Sequence, residues 1–346
     1  MGKVAVIGKY NTKVGIADGQ AVKTRIITQE LKNYFGENEI TKIDTYNWKK
    51  NPLKLFNESI KAVRKNKHVI FMTDEGGIKI FPWLLRFAKV FKKTKLHYVV
   101  VGGWLIHFLK KHSFIRSCLK KFSGIYVETT VMKNVLYNMG FKNIILMPNF
   151  KTLQPINTKN VEKHSENTFR FCTFSRIMKK KGIDDAVEAI KEINKLKGEK
   201  ICSLDIYGQV EPKETEWFEN LKKSFTSEIN YAGVIDYDQS VNTLKNYYGI
   251  LFPTEFYTEG VPGTVIDAYA SAVPVIASKW ESYSDVITEG ETGIGYEFGR
   301  QEMLKEKILS LINNREAHYQ MKLNCLKKAD EYLPEKVTAI LLTRLS

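Results

Sequence analysis

The sequence predicts an α/β protein built from two doubly wound domains, each a parallel sheet covered by helices. Short apolar stretches recur along the chain and alternate with longer stretches whose apolar residues repeat at helical spacing. A mostly polar segment over residues 151–167 interrupts this alternation, as a linker between domains would. At 346 residues the chain is also long enough to form two hydrophobic cores.

The predicted elements follow in chain order. In the first domain, residues 1–150, helices are predicted at 21–35 and 53–64, and the strands at Val4–Ile7, Ile40–Asp44, His68–Met72, Tyr98–Val101, Gly124–Val127 and Ile144–Met147. In the second domain, residues 168–330, the strands are predicted at Phe169–Phe174, Leu204–Tyr207, Asn230–Ala232, Gly249–Phe252 and Pro274–Ala277. We expect the helical segment 331–346 to pack back on the first domain. Both domains are Rossmann-like in pattern, and we expect them to face each other across a cleft.

Positive charge is concentrated in the first domain. The chain has a net charge of +15, yet residues 1–150 hold 27 Lys and Arg against 9 Asp and Glu, and the remainder is nearly neutral. Eleven basic residues and no acidic one lie between Gly76 and Val127. This pattern predicts that residues 79–121 contact an anionic membrane surface. The alternative is that the lysines are simply solvated. Nucleic acid is the other polyanion, but no nucleic-acid-binding motif is present, so we expect no such partner.

Two basic helical segments of this region also carry large apolar side chains. In the first, residues 82–93, the apolar side is predicted to comprise Trp83, Leu84, Phe87 and Phe91. The second covers residues 104–122. The alternative is that these apolar faces only pack on the sheet.

Cysteine usage and the start of the chain indicate a cytoplasmic protein. The four cysteines are scattered and lack metal-binding spacing, so we expect reduced, buried thiols. Met1 is followed almost directly by a predicted strand rather than by a secretory signal. The longest apolar stretch, residues 98–109, is shorter than the roughly 20 residues that span a bilayer.

The segment 252–278 is the most informative part of the chain for function. A strand ends at Pro253, an acidic loop leads to Glu259, and a Gly/Pro turn precedes a helix that carries Asp267. The start of a helix offers free N–H groups to a phosphate, and carboxylates accept hydrogen bonds from hydroxyl groups. A nucleotide sugar combines these groups. The alternative is an ordinary junction between a strand and a helix.

A second phosphate-binding pattern lies upstream. Arg176 follows the predicted strand 169–174, and Lys181 comes five residues later, before a predicted helix. Both side chains therefore lie in one loop at the end of a strand, and we expect both to reach one diphosphate. The neighbouring Lys179 and Lys180 are interpreted as solvated.

Several motifs in the same order resemble those of the retaining GT-B glycosyltransferases of family four, the glycosyl transferases group 1, over nearly the full length. Ser175-Arg176 through Lys181-Gly182 resembles the family's Gly-Arg and Lys-Gly signature, with Ser in place of the first Gly. Glu259 and Asp267 resemble its paired carboxylates, although the second is normally Glu. Further similar segments are 15–20, which resembles the family's glycine-rich loop, and 203–208, 230–234 and 289–293.

The resemblance implies a role for each matching residue. Glu259 would contact the donor sugar, Asp267 the ribose, and Arg176 with Lys181 the diphosphate, so that no metal or other cofactor is expected. The other donor-binding residues it implies are Gly19, Val234, Gly260, Val261, Pro262, Gly263 and Thr264.

Two positions depart from simple motif matches. Many relatives carry a His where this chain has Gly102-Gly103-Trp104, and His107 is only a weak substitute, more consistent with a structural role. Asp236-Tyr237-Asp238 imitates a metal-binding motif of another glycosyltransferase fold, but we interpret Asp238 as the N-cap of the following helix.

The sequence therefore predicts a cytoplasmic glycosyltransferase, peripheral on the inner face of the membrane. It would move a sugar from a nucleotide donor, with UDP favoured over GDP, to a lipid-linked saccharide in cell-surface polysaccharide synthesis. Two alternatives stay open. One is a glycosyltransferase with a soluble acceptor, and the other is a non-catalytic subunit that binds a nucleotide sugar or polyanion.

Overall fold

The chain forms two compact units. The structure is a computed structural model and describes residues 3–11, 19–89 and 93–346. Unit 1 comprises Met1–Thr152 together with Tyr332–Ser346, and unit 2 comprises Leu153–Glu331. The chain thus leaves unit 1 after Thr152 and returns to it at Tyr332.

Unit 1 contains a parallel sheet of six strands within the described residues. The strands are β1 (Val4–Gly8), β2 (Ile40–Asp44), β3 (His68–Phe71), β4 (Lys95–Val99), β5 (Gly124–Val127) and β6 (Ile144–Leu146). The helices along residues 19–138 are α1 (Gly19–Phe35), α2 (Pro52–Lys65), α3 (Glu75–Ile78), α4 (Phe81–Ala88), α5 (Leu105–Lys111), α6 (Ser113–Leu119) and α7 (Thr130–Asn138). The strand order is β2-β1-β3-β4-β5-β6.

Unit 2 also contains a parallel sheet of six strands. The strands are β7 (Phe169–Phe174), β8 (Cys202–Tyr207), β9 (Ile229–Gly233), β10 (Gly249–Phe252), β11 (Val275–Ser278) and β12 (Gly293–Tyr296). The helices are α8 (Ile183–Lys197), α9 (Thr215–Lys222), α10 (Ser240–Leu244), α11 (Gly263–Ala270), α12 (Tyr283–Val286), α13 (Met303–Asn313) and α14 (Arg315–Ala329). The strand order is β12-β11-β10-β7-β8-β9. A last helix, α15 (Pro334–Leu342), belongs to unit 1.

The cores follow from the alternation of side chains along buried strands. In β1, Ala5 and Ile7 join a core on one face of the sheet, whereas Val4 and Val6 join a core on the other face. α1 and α15 pack against each other and contribute Ile27 and other residues to the second core. Both faces of the sheet are covered, which explains why β1 and β3 are buried along their whole length.

The predicted fold class, two parallel α/β domains, is confirmed, but one strand was placed incorrectly and another was missed. β4 begins at Lys95, three residues before the predicted start at Tyr98. The prediction was late because His97, which is buried in the strand, interrupts the apolar pattern of the sequence. Both ring nitrogens of His97 have hydrogen-bond partners. Its Nε2 lies 3.1 Å from the His68 Nδ1, and its Nδ1 lies 3.1 Å from the Tyr126 hydroxyl. β12 was not predicted, since its four residues include two glycines.

The structure divides the apolar residues predicted on the first basic helix. Leu84 is buried in the core, whereas Trp83 and Phe87 are exposed, and Phe91 lies outside the described residues. Among the helices of the described residues, none combines the length and apolar character needed to cross a bilayer. Of the four free thiols, Cys118 is half-buried rather than buried.

Candidate active site

The candidate site lies where the strand order of unit 2 reverses. β7 and β10 are neighbours in the sheet, while the chain proceeds from β7 to β8 on one side and from β10 to β11 on the other. The loops that leave two such strands diverge and open a crevice at their carboxyl ends, where sheets of this kind bind ligands. Arg176 and Lys181 follow β7, and Glu259 follows β10, so that the predicted residues lie at this edge.

Lys181 and Glu259 form an ion pair across the two loops. The Lys181 Nζ contacts the Glu259 Oε1, and the side chains are only 16% and 17% exposed. The Thr254 hydroxyl donates to the same carboxylate oxygen at 3.2 Å. The ammonium also lies 5.0 Å from the centroid of the Phe256 ring, within range of a cation–π interaction. A cation and a carboxylate are thus held side by side at a partly desolvated position.

Gly182 allows these loops to come together. It has a φ of 67°, in the left-handed region, and a Cβ at this position would lie 2.1 Å from the Pro253 carbonyl oxygen. The Glu255 N–H donates to the Lys180 carbonyl at 2.9 Å and ties the same two loops. The close approach of the backbones brings Lys181 within reach of Glu259.

Arg176 does not join Lys181 in the structure. Its Nη1 donates to Glu211 Oε2 at 3.1 Å, and the side chain is 62% exposed. The structure thus pairs the two predicted diphosphate ligands with different carboxylates. Because exposed ion pairs contribute at most about 1 kcal/mol, Arg176 can leave Glu211 at little cost. Its role toward a diphosphate stays a prediction.

The first glycine of the resembled signature is replaced by Ser175, and the close contact here involves another residue. Gly208 follows β8 with a φ of 139°, and a Cβ at this position would lie 1.7 Å from the Ser175 carbonyl oxygen. The backbone of Ser175, rather than its side chain, makes this contact. A serine is therefore tolerated at position 175, whereas position 208 requires glycine.

The turn from Gly260 to Thr264 leads into α11. Gly260 and Val261 are buried, whereas Pro262, Gly263 and Thr264 are half-buried. The Thr264 hydroxyl donates to the carbonyl of Phe174, the last residue of β7, and so fixes the start of α11 beside the end of that strand. The first N–H groups of a helix lack acceptors within it and carry partial positive charge. The start of α11 therefore adds to the positive charge of Lys181 at this edge.

Asp267 and Val234 occupy contrasting environments. Asp267 is 1% exposed, and its Oδ1 accepts a hydrogen bond from the Ser240 hydroxyl at 2.9 Å. The shorter aspartate side chain is thus held inside unit 2, and its contact with a ribose stays a prediction. Val234 is exposed and follows Gly233, which has a φ of 79°. Its contact with a nucleotide base likewise stays a prediction.

An acidic group with an elevated pKa follows Lys181 by four residues in the chain. Burial, followed by the charges of Asp184 and Glu255, raises the pKa of Asp185 to about 7. Asp185 lies in the first turn of α8, and its Oδ2 has no hydrogen-bond partner among the described residues. This carboxyl group is therefore partly protonated near neutral pH.

The imitation of a metal-binding motif, Asp236-Tyr237-Asp238, precedes α10. Across residues 3–11, 19–89 and 93–346, no three His, Cys, Asp or Glu side chains are grouped to hold a metal ion. The prediction that Asp238 caps the following helix was wrong, because α10 begins at Ser240 and Gln239 occupies the cap position.

Two residues of unit 1, Gly19 and His107, were considered as candidate site residues. Gly19 begins α1, and a Cβ there would contact no atom within 4 Å in the described chain, while residues 15–18 lie outside the described residues. His107 lies exposed on α5.

Sequence reasoning missed a buried ion pair in unit 1. Lys23 Nζ lies 2.9 Å from Glu128 Oε1, and both side chains are 2% exposed. The Gly102 N–H donates to the same Glu128 oxygen at 3.2 Å, which fixes the loop that replaces the family histidine. One signal was available in the sequence, because Glu128 is the only acidic residue between Glu75 and Glu162 and follows a buried strand.

Comparison with protein families gives one match. The family model described as glycosyl transferases group 1 matches residues 156–328, which is half of the chain and most of unit 2. This range includes Arg176, Lys181 and Glu259.

Individual relatives are more distant. An uncharacterised glycosyltransferase of Methanocaldococcus jannaschii is 25% identical over 66% of this chain and 62% of its own length. The capsular polysaccharide biosynthesis glycosyltransferase CapM of Staphylococcus aureus is 30% identical over 59% of this chain and 50% of its own length. The chain therefore spans less than two thirds of either relative.

Solved structures extend the similarity to the whole chain. The crystal structure of Anabaena HepE in complex with UDP matches with a TM-score of 0.75 and 12% identity, covering 99% of both chains. At this low identity the likeness establishes the fold, a two-domain α/β architecture of the GT-B type.

Proposed function

This chain belongs to the glycosyl transferases group 1 family, and we propose that it transfers a hexosyl or related sugar from a UDP-sugar to a lipid-linked saccharide, with retention of anomeric configuration, in cell-surface polysaccharide synthesis. The observation that carries this proposal is the Lys181–Glu259 ion pair at the edge of unit 2 where the strand order reverses. A nucleotide sugar presents neutral hydroxyl groups next to a charged diphosphate. A carboxylate and an ammonium held side by side match that junction.

The proposed chemistry is electrostatic. Transfer breaks the bond between the anomeric carbon and the diphosphate, and negative charge develops on the departing oxygen. The anomeric carbon bonds to an acceptor hydroxyl oxygen, and the proton of that hydroxyl passes to the departing diphosphate. Lys181 and the start of α11 stabilise that charge, and Glu259 holds a hydroxyl of the sugar. Arg176 exchanges Glu211 for the diphosphate when the donor binds. We propose that these cations neutralise the leaving group without a metal ion.

The choice of donor and acceptor rests on relatives. The HepE structure contains UDP, which favours uridine as the base of the donor. CapM is named for capsular polysaccharide biosynthesis, which favours a growing surface saccharide as acceptor. We propose that unit 1 binds this acceptor, and that the protein works on the cytoplasmic face of the membrane.

Transfer assays with the full chain test this proposal. We expect a product from one of a panel of UDP-sugars and a polyprenyl-diphosphate saccharide in mixed micelles, with and without EDTA. The anomeric proton coupling of the product reports its configuration. Equal transfer to the free saccharide would show a soluble acceptor instead. Thermal stabilisation by UDP-sugars without turnover on any acceptor would identify a binding subunit and overturn the proposal.

We expect Arg176→Gln to raise the KM for the donor by about tenfold or more, since a charge-assisted hydrogen bond contributes about 1.5–3 kcal/mol. Steady-state kinetics with varied UDP-sugar measures this change. Arg170→Gln is the matched control, because Arg170 also forms an exposed ion pair in unit 2, with Asp205 at 3.1 Å. Equal effects of the two substitutions would contradict a specific role for Arg176.

Membrane association is proposed through α4 and α6. The two helices pack against each other, and each presents a phenylalanine to solvent, with Phe87 75% and Phe114 65% exposed. Exposed lysines lie close by in the chain, among them Lys110 and Lys111. Large apolar side chains among cations suit the interface of an anionic bilayer.

Vesicle flotation tests this surface. The double substitution Phe87→Ser and Phe114→Ser is expected to weaken binding to phosphatidylglycerol vesicles at least about tenfold, because burying one such side chain contributes about 1.5–3 kcal/mol. The control is Leu53→Ser, which alters an exposed apolar residue of α2. Equal binding of the wild-type protein to neutral and anionic vesicles would contradict the electrostatic part of the proposal.

A further inference from the structure

A cavity of about 510 Å³ opens at the amino-terminal edge of the unit 1 sheet. Its walls come from the starts of three neighbouring strands, β1, β3 and β4, and from the last two residues of the chain. Parallel strands begin at one edge of a sheet, so residues that are distant in sequence converge here. The lining residues are Lys3, Asn66, Lys67, His68, Lys93, Thr94, Lys95, Leu345 and Ser346.

Four of these lining residues are lysines, and none has an acidic side chain. Among the described residues no ion pair joins these four lysines to a carboxylate, although other lysines of unit 1, such as Lys32, form such pairs. A helix dipole explains basic residues in a last helical turn, such as Lys65 of α2, but Lys3 and Lys95 do not lie in helices. The cavity therefore concentrates positive charge that no side-chain carboxylate of the described residues pairs with.

The positive charge of the cavity affects the pKa of His68. The side chain is buried, and burial together with Lys95, Lys3 and Lys67 lowers the pKa of His68 to about 4. The imidazole is consequently neutral at physiological pH. It contributes hydrogen-bonding atoms to the wall, and the ammonium groups supply the charge.

The wall behind the lysines is rigid. The Thr94 hydroxyl donates to the carbonyls of Val63 and Asn66, at 2.6 and 3.0 Å. The His68 Nδ1 lies 3.1 Å from the His97 Nε2, which anchors the ring to the interior of the sheet. Binding a ligand would therefore require little ordering of these buried groups.

Asn66 indicates what else a ligand must offer. The side chain is 1% exposed, and its Nδ2 donates to the Ala62 carbonyl at 3.0 Å, which fixes the orientation of the amide. Its Oδ1 has no hydrogen-bond partner among the described residues. Buried acceptors are usually satisfied. A hydroxyl group entering the cavity would supply the missing donor.

We propose that this cavity binds a phosphate ester that carries free hydroxyl groups. The lysines bind the phosphate, and Asn66 accepts a hydrogen bond from a hydroxyl. The volume is within the range of small-molecule sites. The same chemistry occurs in the glycerophosphate headgroup of a lipid and in a soluble sugar phosphate. This site belongs to unit 1, whereas Lys181 and Glu259 belong to unit 2, and it does not depend on the proposed transfer reaction.

Calorimetric titration of the full chain with glycerol 3-phosphate tests the proposal. The cavity variant Lys67→Gln/Lys95→Gln is expected to bind at least about tenfold more weakly than wild type, which corresponds to about 1.4 kcal/mol. The matched control Lys54→Gln/Lys61→Gln removes the same charge from exposed positions of α2 and should bind as wild type. At an ester concentration that saturates wild type, nuclear magnetic resonance should show a full shift of the His68 ring in wild type and in the control variant, and a smaller shift in the cavity variant.

Three results would overturn the proposal. The first is that wild type does not bind glycerol 3-phosphate, and the second is that the cavity and control variants lose affinity equally. The third is that inorganic phosphate binds more tightly than the ester, which would contradict the role of Asn66. Flotation with phosphatidylglycerol vesicles distinguishes the two sources. If the ester is a headgroup, the cavity variant loses flotation, and glycerol 3-phosphate displaces the wild type. If the ester is soluble, flotation is unchanged while the calorimetric difference persists.

Discussion

Replacing Glu259 by glutamine is expected to lower the kcat of sugar transfer by about 10²–10³-fold, the effect of removing one preorganised group from a reacting centre. Glutamine keeps the shape of the side chain but loses the charge that holds Lys181. Because Lys181 remains free to bind the diphosphate, we expect the KM for the donor to change only a few-fold. Steady-state kinetics with the preferred nucleotide sugar separates the two parameters.

Glu188→Gln provides the matched control for this substitution. Glu188 is an exposed glutamate of α8 that forms an ion pair with Lys191, so its loss removes the same charge from unit 2 away from the crevice. Its kcat should equal that of the wild type. A Glu259→Gln enzyme that keeps its kcat within threefold would show that the carboxylate is not catalytic.

Replacing Glu128 by alanine is expected to lower the free energy of unfolding by about 3–5 kcal/mol, because it leaves the Lys23 ammonium buried without a counter-charge. The pair is almost completely buried, and Glu128 also accepts the hydrogen bond from the Gly102 N–H. Urea denaturation followed by the fluorescence of Trp48 and Trp104, both in unit 1, measures the loss.

The double substitution Lys23→Met/Glu128→Leu should recover much of this stability, since it removes both charges and keeps most of the volume. Glu316→Ala is the surface control, because Glu316 pairs with Lys163 where both side chains are largely exposed, and such pairs contribute about 0–1 kcal/mol. If the single Glu128 variant were as stable as the surface control, the buried pair would not hold unit 1 together.

The positions of the candidate site could be predicted from the sequence because they depend on local order along the chain. Arg176, Lys181 and Glu259 each follow a strand with a clear apolar pattern, and parallel strands bring such ends to one edge. Their pairing could not be predicted. Lys181 and Glu259 are 78 residues apart, and the contact of Arg176 with Glu211 depends on how the loops after β7 and β8 approach.

The burial of individual side chains was the other property that could not be predicted from the sequence pattern. The motif match gave no sign that Asp267 of α11 is only 1% exposed, where the Ser240 hydroxyl donates to its Oδ1. Phe87 has the same apolar character as the buried Leu84, three residues earlier, yet it lies at the surface. In both cases the neighbouring helix decides which side chains are covered, and its position follows from contacts distant in sequence.

The division of unit 1 between the two ends of the chain has a consequence for biosynthesis. Val337 and Leu341 of α15 share a core with Val4 and Ile27, which are translated more than 300 residues earlier. Domains generally fold as units while the chain emerges from the ribosome. Unit 2 is contiguous and can fold during translation. Unit 1 begins first but completes its core only once α15 has been synthesised, so its apolar residues must be kept from aggregating until then.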